Sequence, residues 1–171
     1  LVLNCAVVIA MIKGGEIVTP SERYVADIFC EGETITRIDR NLSAPGDAEV
    51  IDASGKYVFP GFIDPHVHIY LPFMGTFAKD THETASRAAL VGGTTTLIEM
   101  ICPGCEERPL EALELWLSKA RGASACDFCF HMGVTRYDDE AERDLREIVR
   151  RGVSSFKVFL AYKGALGVSD E

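Results

Sequence analysis

The feature that most constrains the fold is a change of pattern at Pro60, after which apolar runs alternate with amphipathic helical segments. The runs "FIDPHVHI", "TTTLIEMI", "CDFCFHMGV" and "SFKVFLAY" have the length and apolar character of buried strands. Strands that alternate with helices form βα units, and the strands of such units are parallel. The sequence therefore predicts an α/β fold with a parallel sheet over residues 58–171.

Three segments between these runs carry helix start and stop signals. The first, "DTHETASRAALVGG", is predicted to begin at an N-cap, Asp80 or Thr81, and to end at Gly92 and Gly93. The second is "RPLEALELWLSKARG" and the third is "DDEAERDLREIVRRG", whose acidic start and basic end suit the helix dipole. Apolar spacing predicts buried faces formed by Leu110, Leu113, Leu117 and Ala120 on the second helix and by Leu145, Ile148 and Val149 on the third.

The N-terminal region has a different pattern. Residues 1–57 have the character of short strands and turns, with strand pairs around "EGE" and "ASG". They predict a small β unit, so the chain divides into two domains, residues 1–57 and residues 58–171. The chain starts without Met and stops at "GVSDE", where the pattern of another helix begins, so we expect a piece of a longer protein.

Composition narrows the classes of partner. The 171 residues are 47% hydrophobic, which is enough apolar material for a core, and they carry a formal net charge of −9. A negative chain repels phosphate backbones and anionic lipid, so we expect no nucleic acid and no membrane surface as partner. The opening "LVLNCAVVIAMIKGG" lacks the pattern of a secretory leader, and six cysteines in such a chain are expected to be reduced thiols, which predicts a cytoplasmic location.

Two histidines stand one residue apart in "PGFIDPHVHIY". Side chains alternate across a strand, so Asp64, His66 and His68 share one face while the apolar residues between them point the other way. Such a pair occurs either as polar residues on a half-exposed strand or as a metal site, because neutral imidazole is a preferred zinc ligand. In a metal site Asp64 would orient the histidines without contacting the ion.

Lys157 in "SFKVFLAY" shares a strand face with Ser155 and Phe159. In a barrel of parallel strands, this face would line the interior near the end where catalytic groups gather. A strand lysine is ordinarily solvated, and an ammonium group cannot bind a metal ion. Its position alone therefore leaves the role of Lys157 open.

Taken together, the motifs resemble a known family. The stretches "PGFIDPHVHIYLPFMGT", "AALVGGTTTLIEM" and "GVSSFKVFLAYKGAL" are similar to those of the cyclic amidohydrolases, specifically the dihydropyrimidinase and hydantoinase branch. The resemblance implies a metal-dependent, TIM-like (β/α)8 hydrolase barrel, of which about half is present, preceded by a small β-sandwich unit. It also implies an activity, the hydrolytic opening of a cyclic amide ring.

The resemblance implies a role for each matching residue. His66 and His68 match the ligands of one of two divalent metal ions, expected to be zinc. Lys157 matches a lysine that carbon dioxide converts into a carbamate bridging both ions. Tyr162 matches the tyrosine that hydrogen-bonds the substrate and the developing oxyanion, and Leu71 and Phe159 fall near positions that shape the substrate pocket.

The implied mechanism is attack on the ring carbonyl by a hydroxide held between two metal ions. Tyr162 stabilises the tetrahedral oxyanion, and the ring nitrogen then leaves. The family's two later histidine ligands and its proton-transferring aspartate have no counterpart here, so we expect them beyond Glu171 and expect the chain alone to be inactive. Relatives are homotetramers, and the resemblance implies the same for the intact protein.

Two alternatives stay open. An allantoinase or dihydroorotase is the enzymatic alternative. The stretch "FLAYKG", with Tyr162, favours the dihydropyrimidinase branch, whereas "EM" at 99–100 stands where relatives commonly have Asp and an aromatic residue. A non-catalytic, dihydropyrimidinase-like scaffold protein is the second alternative, against which the retained metal-ligand and tyrosine positions count.

Other cysteines and histidines match a functional site less well. The pairs "CPGC" and "CDFC" have a zinc-like spacing, but in a βα unit they would lie at opposite ends of the barrel, so free thiols are the preferred interpretation. His131 is either a group that supports the site or a hydrogen-bonded core histidine, which we favour. His82 lies in the first turn of a predicted helix and is expected to face solvent.

Overall fold

The computed structural model describes residues 9–73 and 75–168. They belong to two compact units, one ending at Pro60 and the other beginning at Gly61. The predicted domains, residues 1–57 and 58–171, include residues outside the described ranges, and their extents stay predictions. Within the described ranges, no helix is long and apolar enough to cross a membrane.

Among the described residues, the first unit is a mixed five-stranded sheet. Its strands are β1 (Ile9–Val18), β2 (Arg23–Glu31), β3 (Thr34–Asp39), β4 (Glu49–Asp52) and β5 (Tyr57–Val58). The strand order is β3-β2-β1-β4, and β5 also pairs with β1. The β1-β2 and β2-β3 pairs are antiparallel, whereas β4 and β5 run parallel to β1. The predicted small β unit is therefore present.

A buried carboxylate connects the loops of this first unit. Asp27, on β2, accepts hydrogen bonds from the backbone N–H groups of Gly14 (2.8 Å) and Leu42 (2.9 Å), and the ammonium of Lys13 lies 3.6 Å away. The bond from Gly14, near the point where the β1-β2 register shifts, is the main cause of the lowered pKa of Asp27. Asp27 thus joins the bulge in β1 to the loop after β3.

The second unit alternates strands with helices, as the sequence predicts. Its elements are β6 (Phe62–Val67), β7 (Pro72–Phe73), β8 (Thr76–Phe77), α1 (His82–Val91), β9 (Thr94–Ile101), α2 (Pro109–Ala120), β10 (Asp127–Val134), α3 (Asp139–Arg150) and β11 (Phe156–Lys163). β7 and β8 form a short antiparallel hairpin. In the described part of this unit the other strands form one curled parallel sheet, in the order β11-β10-β9-β6. The predicted partial barrel is confirmed.

α1 begins and ends at its predicted capping residues, and a side-chain cap also begins α3. α1 follows Thr81, whose hydroxyl accepts a hydrogen bond from the backbone N–H of Thr84 (3.2 Å), and the Thr84 hydroxyl accepts one from the N–H of Thr81 (3.0 Å). The helix ends at Gly92, and Gly93 follows with a φ of 86°, a conformation that favours glycine. Asp138 caps α3 by accepting from two backbone N–H groups of its first turn.

The core of the second unit lies between the sheet and the helices α2 and α3. On α3 the buried stripe runs from Ala141 to Ile148 at helical spacing, so Val149 lies outside it and is 46% exposed, contrary to the prediction. On α2 the aromatic ring of Trp116 is buried, whereas Leu110 and Leu117, which were predicted to be buried, are only half-buried. The fully buried members of this core include Ile101, Ala112, Leu113, Ala120, Met132 and Ile148.

An ion pair joins α2 to α3. The guanidinium of Arg108 donates to both carboxylate oxygens of Asp144, at 2.6 and 3.1 Å. Asp144 is 4% exposed and also lies 3.4 Å from the backbone N–H of Leu110, at the start of α2. A bidentate contact of this kind offsets the cost of removing the carboxylate from water.

We expect Asp144→Ala to lower the free energy of unfolding of the complete protein by about 2 kcal/mol, because Arg108 and the N–H of Leu110 lose their acceptor. Arg146→Ala is the control, since it removes only a solvent-exposed pair with Glu142 on the same helix and should cost far less than Asp144→Ala. Urea denaturation followed by circular dichroism measures both. Equal losses would show that the buried pair contributes no more than an exposed one.

Candidate metal centre and substrate pocket

The ends of β6 and β9, together with β11, line a cavity of about 470 Å³ in the second unit. All of the predicted metal and substrate residues lie on its wall, namely His66, His68, Leu71, Lys157, Phe159 and Tyr162. The remaining wall residues are Pro72, Thr76, Phe77, Ala78, Met100, Cys102 and Leu166. The fold therefore brings residues from distant parts of the chain to the end of the sheet where barrel enzymes place their active sites.

The two histidine side chains converge. Nε2 of His66 lies 3.2 Å from Nε2 of His68, and the rings are perpendicular, at 89°, with centroids 4.9 Å apart. Two nitrogens bound to one tetrahedral zinc ion, each at about 2.0–2.1 Å, lie about 3.3–3.4 Å from each other. The pair thus has nearly the spacing that two ligands of a single ion require.

Asp64 contacts the backbone of this histidine pair. Its carboxylate accepts a hydrogen bond from the backbone N–H of His66 at 3.1 Å, where the pairing of β6 with β9 is irregular between Asp64 and Val67. The predicted orienting effect of Asp64 on the histidines would therefore act through the position of the strand.

His68 is exposed as a whole, but partial burial of its ring and nearby charges favour a neutral imidazole. Burial is the main cause of the lowered pKa of His68, and the nearby His66 and Lys157 lower it further, against the opposing effect of the Glu99 carboxylate. Neutral imidazole is the form that binds a metal ion. Across residues 9–73 and 75–168, no group of three or more His, Cys, Asp and Glu side chains is arranged to hold a metal. The donors present therefore fit part of a metal site.

Lys157 is half-buried on β11, opposite Gly133 of β10. Glycine is needed at position 133 because a Cβ there would lie 2.6 Å from the backbone carbonyl oxygen of Ile101. The Nζ of Lys157 lies 5.4 Å from the centroid of the Phe159 ring on the cavity wall. Lys157 also borders a smaller cavity, of about 170 Å³, that includes His66.

Tyr162 occupies a strained position at the end of β11. Its φ is 62°, which is uncommon for a residue with a large side chain, and its backbone carbonyl accepts from the N–H groups of Ala165 and Leu166 in the following turn. The ring packs edge-to-face on Phe159, with centroids 6.2 Å apart. The turn thus directs Tyr162 toward the cavity that Phe159 also lines.

His131, on β10, contacts β6 and the residue before β11 next to the cavity. Its Nε2 lies 2.8 Å from the carbonyl oxygen of Pro65, on β6, and its Nδ1 lies 2.6 Å from the hydroxyl of Ser155. A carbonyl only accepts, so Nε2 carries a hydrogen and donates it to Pro65. His131 is hydrogen-bonded, as the favoured interpretation held, but it is half-buried and borders the smaller cavity instead of lying in the core. Its partner Pro65 precedes His66 in the chain.

The prediction that His82 faces solvent is wrong. His82 is 1% exposed, and its Nε2 lies 3.0 Å from Oε2 of Glu99, which is equally buried. The reason is that the face of α1 that carries His82 and Ser86 packs inward, although the sequence of α1 has only a weak apolar stripe. No local spacing in the sequence marks this pair, because the two residues lie on different elements.

Cysteine thiols also lie at this end of the sheet. Cys102 follows β9, lines the cavity and is buried, and this burial raises the pKa of its thiol. The thiol of Cys105 donates to the carbonyl oxygen of Ala165, 2.7 Å away. The cysteines therefore contribute to packing around the cavity.

Comparisons with known proteins agree with this architecture. The sequence profile of the amidohydrolase family matches residues 57–171. The chain is 43% identical to a D-hydantoinase of Geobacillus stearothermophilus, over 94% of this chain and 34% of that protein. It is 39% identical to a dihydropyrimidinase of Arabidopsis thaliana, over 94% of this chain and 30% of that protein.

A solved structure is similar throughout the fold. The D-hydantoinase (dihydropyrimidinase) from Thermus sp. matches with a TM-score of 0.91 and 65% sequence identity, over 94% of this chain and 35% of that one. The chain thus spans about a third of the length of the relatives it matches. Since the family profile covers most of the chain and the partial barrel matches solved hydantoinases, the chain belongs to the amidohydrolase family and is similar to its hydantoinase and dihydropyrimidinase members.

Proposed function

We propose that the complete protein hydrolyses a C–N bond in a small cyclic amide, with a dihydropyrimidine or a 5-substituted hydantoin as substrate. The observation that carries the proposal is the convergence of His66, His68, Lys157 and Tyr162 on one cavity. The similarity to hydantoinases and dihydropyrimidinases supports the reaction class. Because the chain spans about a third of these relatives, the proposal concerns the complete protein.

His66 and His68 would bind one of two divalent metal ions, which we propose to be zinc, through their converging Nε2 atoms. Lys157 would react through its neutral amine with carbon dioxide and lose a proton, and the two oxygens of the resulting carbamate could bind both ions. Metal ions bound in this way polarise a carbonyl group and lower the pKa of water. Further ligands and a proton-transferring aspartate would come from other parts of the complete protein.

The cavity wall suits a small ring with a few polar atoms. Leu71, Phe159 and Met100 provide apolar surface, and a volume of about 470 Å³ lies in the range of small-molecule sites. The hydroxyl of Tyr162 would donate to the ring carbonyl oxygen and would remain bonded to it as negative charge develops.

We also propose a cytoplasmic homotetramer. Five cysteines of the described residues are free thiols, which supports the location. Sedimentation velocity of the complete protein would test the assembly, and a monomer at micromolar concentration would contradict it.

A substrate panel tests the reaction class. We expect the zinc-loaded complete protein to open dihydrouracil or a 5-substituted hydantoin, measured as loss of ring absorbance. Turnover of allantoin or dihydroorotate alone would establish the alternative enzyme. If the protein, expressed with zinc and bicarbonate, bound no metal and opened no ring, the scaffold alternative would replace the enzyme.

We expect His66→Ala and His68→Ala each to lower zinc content from two ions toward one per chain and ring-opening activity by about 100-fold, because the pair would supply two ligands of one ion. Arg146→Ala, on the outer face of α3, is the control and should retain both. Inductively coupled plasma mass spectrometry measures the zinc content. Full zinc content in both histidine variants would exclude the proposed ligands.

We expect Tyr162→Phe to lower kcat by about 10²–10³-fold with a smaller change in KM, because the lost hydroxyl would bond most strongly to the developing oxyanion. Tyr137→Phe is the matched control, since Tyr137 is an exposed tyrosine that does not line the cavity. Steady-state kinetics on the preferred ring substrate distinguishes the two. A change confined to KM would assign Tyr162 to ground-state binding only.

A further inference from the structure

Glu99 is a buried carboxylate beside the strand that carries the two histidines. It is 1% exposed on β9 and pairs in register with Val67, the residue between His66 and His68. Its Oε1 accepts a hydrogen bond from the backbone N–H of Ile69 at 2.8 Å. Because β6 ends at Val67, the carboxylate supplies an acceptor just past the last paired residue of the strand.

The other carboxylate oxygen of Glu99 faces His82 of α1. The Oε2 to Nε2 distance is 3.0 Å, and both side chains are 1% exposed. The contact is not aligned for a hydrogen bond, and neither ring nitrogen of His82 has a hydrogen-bond partner within the ranges that the structure describes. A buried, poorly aligned polar pair contributes little to stability, so its presence at this point requires another explanation.

The turn after His68 is also held from the side of the helices. Tyr70 has a φ of 56°, a strained conformation for a large side chain, which persists only where its surroundings fix it. The Tyr70 ring lies 6.0 Å from the ring of His82, and the ammonium of Lys119, on α2, lies 4.6 Å from the Tyr70 centroid. The same turn leads to Leu71 on the cavity wall.

We infer that Glu99, supported by His82, is a positioning residue that fixes the backbone after His68 and thereby the spacing of the two histidine nitrogens. A fixed strand end would present both Nε2 atoms before a metal ion arrives, so less ordering is needed on binding. The consequence of this inference, a higher metal affinity, rests on the proposed function. The fixed backbone itself is independent of that function.

Hydrogen exchange on the metal-free complete protein tests the fixed backbone. In Glu99→Ala, the amides of residues 66–71 should exchange faster than in the wild type, because Ile69 loses its acceptor. Asp144→Ala is the matched control, since it removes another buried carboxylate that lies near a backbone N–H in the same unit without touching the cavity. It should lower stability while leaving exchange over residues 66–71 unchanged.

Zinc affinity, measured by competition with a chelating dye, tests the consequence. We expect Glu99→Ala to weaken zinc binding by about 10–100-fold and Asp144→Ala to leave it unchanged. Glu99→Gln keeps an oxygen for the N–H of Ile69 and should recover most of the affinity. His82→Phe keeps the ring volume but removes both nitrogens, so it should weaken zinc binding less than Glu99→Ala.

The two readouts separate the possible failures. Unchanged exchange over residues 66–71 in Glu99→Ala, or equal zinc affinity in the Glu99→Ala and Asp144→Ala proteins, would overturn the positioning role. If Glu99→Ala does not fold, Glu99→Met, which fills the same space but offers Ile69 no acceptor, replaces it in both measurements, and wild-type values would overturn the role equally. A wild-type protein that binds no zinc would refute the proposed function, and the exchange result would still decide whether Glu99 fixes the turn.

Discussion

The register of the parallel sheet is the constraint on which the site depends. Side chains alternate along each strand, so a slip of one residue would move the side chains of His66, His68 or Lys157 to the opposite face. Close approach of neighbouring backbones helps to set that register. A Cβ atom at position 133, opposite Lys157, would collide with the carbonyl oxygen of Ile101, so only Gly133 fits there. The geometry of the cavity is therefore determined by backbone packing in the strands as much as by its own side chains.

Buried carboxylates bond to backbone N–H groups where regular pairing stops. Asp27 accepts from Gly14 at the bulge in β1, and Glu99 accepts from Ile69 just past the end of β6. Asp144 lies within reach of the N–H of Leu110 in the first turn of α2. Each location has an N–H group that strand or helix pairing leaves unsatisfied, and a buried donor without an acceptor is costly. These carboxylates thus fix loops and element ends that secondary structure alone would leave unspecified.

The sequence predicted features that depend on local order, and it failed where distant elements meet. Thr81 and Gly92 mark the ends of α1 by their own chemistry, and alternation along a strand was enough to place His66 and His68 together. The inward packing of His82 was missed because its partner is on β9, and a weak apolar stripe gives no sign of which face of α1 is buried. The apolar spacing within one helix or strand does not reveal residues that support a site from another element.

The charges around the histidines connect metal binding to the state of Lys157. As an ammonium, Lys157 contributes to the lowered pKa of His68, after burial and His66, and a positive group that disfavours a proton on this ring also disfavours a metal cation. Conversion to a carbamate would change the charge at this position from positive to negative. In the proposed enzyme, carbon dioxide would therefore supply ligand oxygens and also remove a repulsion, so carbamate formation and metal binding at the histidine pair should promote each other.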